Sequence, residues 1–94
     1  MHSTLLRRAR HTTAELALRV GDFRLARTTA DAAVAADPFD EPATRLLMRA
    51  HLAGGEPARA LTAYERLRTT LATELGIDPT DATRDLHPTI LVNA

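Results

Sequence analysis

The chain has 94 residues, 45% of them hydrophobic and 26% charged, with twelve arginines balancing twelve acids. One modest domain fits that length, and the apolar content argues against disorder. The lack of cysteine excludes disulfides and thiolate metal ligands, and no apolar run is long enough to span a bilayer. Met1 to Arg10 also lacks the apolar centre of a signal peptide, so a cytoplasmic protein with no membrane association is expected.

Thr4 to Val20 reads as the first helix, with Leu6, Ala9, Thr13, Leu16, Ala17 and Val20 as its apolar face and Gly21 as its stop. Phe23 to Ala36 reads as the second, with Ala26, Ala30, Ala33 and Val34 facing inward, and it ends before Pro38. Asp40 is placed to cap a third helix whose first turn holds Glu41 and Pro42 and whose buried stripe is Ala43, Leu46, Leu47 and Ala50. Gly54 and Gly55 break the chain. Pro57 opens a long fourth helix carrying Ala60, Tyr64, Leu67, Leu71 and Leu75, which Gly76 terminates, with Ile77 available for the accompanying apolar contact. A short fifth helix is expected from about Asp78–Thr80 to Leu86. Pro88 would interrupt a longer one at about 3 kcal/mol, leaving a loosely held tail.

No strand pattern competes with this all-α reading of about five helices. Gly21, Asp22 and Ala26 recur 34 residues later as Gly55, Glu56 and Ala60, the tetratricopeptide period. The sequence therefore divides into antiparallel hairpins over 4–37 and 41–76 and a capping helix over 79–87, in a single domain 1–94. In that frame Ala26 and Ala60 are the small residues at the hairpin crossings. Tyr64 reads as a packed ring, and Phe39 as an anchor for the turn between hairpins.

From Ala33 to Leu91 the order of features resembles the bacterial transcriptional activator domain of the Streptomyces antibiotic regulatory protein family. The specific part is DPFDEPATRLLMRAHLAGGEPARALTAYERLRTTLATELGIDPT, from Asp37 to Thr80. The chain departs from that pattern at His87 and Pro88, where the family continues its helix. The resemblance implies a non-enzymatic protein-interaction module of a transcription regulator, one that supports dimerisation and activation beside a winged-helix DNA-binding domain. No winged-helix pattern is read in these 94 residues. The implied partners are such a winged-helix domain, a second copy of the chain, or the transcription machinery. An incomplete helical stack, which exposes an apolar end, independently points to a homodimer.

No enzymatic constellation is found. His2, His11, His51 and His87 are too dispersed for a metal motif; Ser3 and the threonines lie in no nucleophile elbow; Gly54 and Gly55 are not followed by a phosphate-loop lysine. No cofactor is expected. His11 and Glu15 share a helical face and read first as a solvent-facing pair. The first helices of such hairpins line a concave surface, and its inward positions map to Arg8, His11, Glu15, Arg19, Arg45 and Arg49. A basic groove of that kind suits an acidic peptide, because arginine forks pair with carboxylates. The alternative is that Arg45 and Arg49 are a solvated pair or bridge to Asp40 or Glu41. Residues 1–27 hold six arginines against two acids, a net +4, which marks either a nucleic-acid or acidic-partner surface or, as the first reading, a solvated helix face. Specific DNA binding by the chain alone is not expected without an element to enter a groove.

Overall fold

The computed structural model describes residues 2–93, with side chains from Thr4 onward; the side chains of His2 and Ser3 lie outside the described part. Six helical segments follow in order: α1 (His2–Val20), α2 (Phe23–Ala36), α3 (Glu41–Ala53), α4 (Pro57–Leu75), α5 (Asp81–Arg84) and α6 (Leu86–Asn93). Short turns make the first four helices antiparallel in sequence. α1 and α3 lie side by side, with α2 packed against both and α4 against α3. The resulting slab is 35 × 30 × 18 Å, its thinnest dimension that of two helix layers about 10 Å apart.

The 34-residue period is physical. Gly21 and Gly55 both adopt left-handed φ, 80° and 78°. Gly21 donates to the Leu18 carbonyl and Asp22 to that of Ala17; Gly55 and Glu56 repeat these bonds to Leu52 and His51. Each is the six-to-one and five-to-two pairing that closes a helix end around a glycine. The following helices start differently. Asp22 caps α2 through the Leu25 amide at 3.1 Å, whereas Glu56 makes no side-chain cap and instead pairs with Arg59 at 2.9 Å. Pro57 in the first turn of α4 removes one amide that would otherwise lack a partner.

Alanine sets the helix spacing. Ala26 and Ala60, the crossing positions of the two hairpins, are both fully buried, and Ala17, Ala26 and Ala50 meet as a small cluster. Without longer side chains between them the helices approach closely, and the larger core of Leu46, Leu47, Met48 and Tyr64 fills the space beyond.

The buried face of α1 differs from the sequence expectation. Of the expected face only Ala17 is buried, with Ala14 buried and Leu18 packed beside it, whereas Leu6, Ala9, Thr13, Leu16 and Val20 are exposed. α1 carries two apolar stripes, and α2 and α3 take the one with small residues because only it permits close approach. Leu75 and Ile77 at the end of α4 are likewise half exposed, although the Ile77 amide does bond the Leu71 carbonyl. Phe39 is also exposed. The turn it occupies is held by polar bonds: its amide donates to Asp37 Oδ1 and the Asp40 amide to the Asp37 carbonyl.

The C-terminal segment also departs from expectation. The helix breaks at Asp85 rather than His87, and Pro88 becomes the third residue of α6, where its missing N–H has no helical acceptor to lose. α6 is no loose tail. Ile90 is 1% exposed within the main core, and the His87 ring stacks on Tyr64 with centroids 4.6 Å apart.

Candidate functional site

α3 begins at a polar node. Asp40 is buried, caps α3 by accepting the Ala43 amide at 3.1 Å, and receives Arg7 Nε at 2.7 Å and Arg7 Nη2 at 3.3 Å. His11 Nε2 lies 3.0 Å from the same carboxylate. Burial pushes the Asp40 carboxyl up, but the bonds from Arg7 and Ala43 and the charges of His11 and Arg7 outweigh it and hold the group below its usual range. This node ties the start of α1 to the start of α3. It closes a hairpin-to-hairpin junction that apolar contacts alone would leave free to slide.

Glu41 forms the matching junction with the C-terminal helices. Its Oε1 accepts the Thr80 amide at 2.9 Å, the Thr80 hydroxyl at 3.0 Å and the buried Thr83 hydroxyl at 2.8 Å. Arg45 Nη1 donates to Thr83 Oγ1 at 3.0 Å. Burial raises the Glu41 carboxyl, yet those donors and the Arg45 charge bring it below its ordinary value. Neither the Arg7–His11–Asp40 nor the Glu41–Thr83 set is marked by short sequence spacing. Only the cap position of Asp40 was visible locally.

The six residues assigned to the concave surface fall into two groups. Arg8, Glu15, Arg19 and Arg49 are exposed on the α1–α3 side. His11 turns toward Asp40 and Arg45 toward Thr83, so both are engaged in holding the layers together. His11 and Glu15 therefore do not form a solvent-facing pair. Arg8, Arg19 and Arg49 have no ion-pair partner among the described residues.

On the other side of the slab, the gap between α2 and α4 forms a groove of about 670 Å³ whose floor is α3. Val34, Leu47 and Leu67 supply its apolar wall, Asp31, Arg59 and Arg66 its charges, and His51 its base. His51 is buried with Nδ1 unpartnered, and burial above all lowers its pKa. A third surface is the outer stripe of α1, where Leu5, Leu6, Leu16 and Val20 are exposed; beside it, Leu6, Arg10, Ala33 and Ala36 line a cavity of about 570 Å³.

Among the described residues no three His, Asp or Glu side chains gather as a metal site, and no helix is long and apolar enough to cross a membrane. The transcriptional regulatory protein EmbR of Mycobacterium bovis, and that of two strains of Mycobacterium tuberculosis, are 43% identical to the chain over 54 residues. That stretch is 57% of this chain but 14% of the length of those relatives. No solved structure matches. The sequence profile described as the bacterial transcriptional activator domain matches residues 3–91, nearly the whole helical stack, and the chain therefore belongs to the bacterial transcriptional activator domain family.

Proposed function

We propose that the chain is a non-enzymatic protein-interaction module of a transcription regulator, supporting dimerisation and activation next to a winged-helix DNA-binding domain. The observation that carries this reading is the family match over residues 3–91, which takes in both hairpins and most of the C-terminal cap. The likeness to a transcriptional regulatory protein over 54 residues supports it. So does the architecture: a thin, two-layer stack with exposed apolar and basic surfaces and a rigid interior offers faces for partners.

Fusion of the chain to an unrelated DNA-binding domain tests this. Raised transcription from a promoter carrying that domain's site is the expected result, together with retention of a winged-helix domain in a binding assay. Absence of both rejects the reading.

A second reading, an orphan scaffold that holds an acidic peptide on its basic concave side, is favoured by one observation. Arg8, Arg19 and Arg49 are exposed and without an ion-pair partner among the described residues. Charge reversal at Arg8, Arg19 and Arg49 is expected to abolish capture of an acidic peptide and leave the fold unchanged. Capture that survives the reversal removes this reading.

A further inference from the structure

The exposed stripe of α1 matches a face that the same fold covers elsewhere. Ala9, Thr13 and Leu16 are exposed on the outer side of α1. Their equivalents 34 residues later are Ala43, Leu47 and Ala50, all buried in α3, the helix on which α2 packs. By the internal repeat, the stripe is a helix-receiving face with no helix on it among the described residues. Leu5 (65% exposed), Leu16 (51%) and Val20 (78%) stand out from it, with Leu6 on the same helix. At the far end of the stack α6 lies on α4 and buries Ile90, while Leu75, Ile77, Leu91 and Val92 stay exposed.

We propose that a second copy of this chain covers the stripe, the two α1 helices packing antiparallel about a two-fold axis through Thr13. Leu6, Ala9, Thr13, Leu16 and Val20 are nearly symmetric about Thr13. Antiparallel pairing sets Leu6 against the partner's Val20 and seats the partner's Leu16 over Ala9, large against small, as packed helices require. A parallel pair would instead stack Leu on Leu and Ala on Ala.

No charged residue lies on the stripe itself. The exposed fractions of its large side chains correspond to roughly 450 Å² per copy, below the usual size of specific interfaces, which fits a weak, concentration-dependent dimer. A two-fold pair uses the same face of both copies, so association through the stripe stops at a closed dimer rather than growing into a filament. This inference rests on reading the chain as an interaction module and names one of its partners and the face that binds it.

The chain has no cysteine, so single cysteines report the geometry directly. Under mild oxidation Thr13→Cys is expected to link to itself. Leu6→Cys and Val20→Cys are expected to link when mixed but not each alone, and Arg49→Cys on the other side is expected to stay unlinked. In sedimentation the 94-residue chain is expected to pass from monomer to dimer with a dissociation constant on the order of micromolar. Leu16→Glu and Val20→Glu, at sites already exposed in one copy, are expected to keep the helical circular dichroism and remain monomeric throughout.

A monomer at every concentration, a dimer that survives both glutamates, or self-linking of Leu6→Cys overturns the proposal. So does protection of a cysteine at position 13 only when a winged-helix domain is added, which would assign the stripe to a domain contact. Reporter activation by the fused chain is read separately. A monomer that still activates overturns the dimer and leaves the regulator reading standing, and a dimer that neither activates nor retains a winged-helix domain does the reverse.

Discussion

Replacing Asp40 with alanine removes a helix cap and the only buried carboxylate that joins α1 to α3 among the described residues. Loss of a capping side chain costs about 1 kcal/mol, within a range of roughly 0.5 to 2. The bonds from His11 and Arg7 are charge-assisted, a class that contributes about 1.5 to 3 kcal/mol when buried. Arg7 is about half exposed and rehydrates once released, so its share belongs at or below the bottom of that range. His11, only 13% exposed, loses a partner it cannot fully replace with water.

The expected total for Asp40→Ala is about 2 to 4 kcal/mol, a large part of the roughly 5 to 15 kcal/mol that stabilises a domain. Asp40→Asn keeps the cap and loses only the charge, so it is expected to cost about half as much. Urea unfolding followed by circular dichroism measures both, with an unchanged slope showing that the same surface is exposed. A loss below about 0.5 kcal/mol for Asp40→Ala, the range of ordinary surface substitutions, would refute this account of the junction.

Ile90→Ala is expected to cost about 2 to 4 kcal/mol in the same assay, because Ile90 is fully packed and the cavity left by it is only partly refilled. Ala26→Leu and Ala60→Leu, at equivalent crossings with no free space, are each expected to lose about 1 to 3 kcal/mol by overpacking, and a clear disparity between them would count against the repeat. The lowered pKa of His51 means that the unfolded chain takes up a proton first as pH falls. Its stabilising contribution is complete above about pH 6.5 and declines as pH drops through that value to the folded pKa. His51→Leu is expected to flatten stability over this window, as read from thermal midpoints at a series of pH values. Asp40 and Glu41 act lower. Their depressed pKa values give stability that is full above their unfolded values, about pH 4, and is lost as pH falls through the folded ones.

Much of the candidate binding surface was legible in part only. Arg8, Glu15, Arg19 and Arg49, read from the repeat as inward positions of a concave surface, are exposed on α1 and α3. His11 and Arg45 share that spacing but reach acceptors 29 and 38 residues away, at Asp40 and Thr83. A periodic pattern reports the direction of a side chain from its own helix and is silent about what the neighbouring helix offers it. His51 shows the same limit. It stands at the repeat equivalent of buried Ala17, and only the packed groove between α2 and α4 explains how a polar ring is held there.

The amino-acid order by itself determined the helices that carry strong end signals and the 34-residue period that joins them. α2 runs from Phe23 to Ala36 because Asp22 caps it and the approach to Pro38 ends it; α3 and α4 are bounded by Asp40, Gly54, Pro57 and Gly76 in the same way. Such signals act within one turn of the chain, so they survive without knowledge of the fold. Tertiary structure decided the rest. α1 holds two apolar stripes of similar local merit, and burial went to Ala14 and Ala17 because α2 and α3 approach too closely for leucine, which left the larger stripe outside. Pro88, read alone, ends a helix. After the break at Asp85 it sits in the first turn of α6 at little cost, and the site that Ile90 fills in the core draws the segment down onto α4.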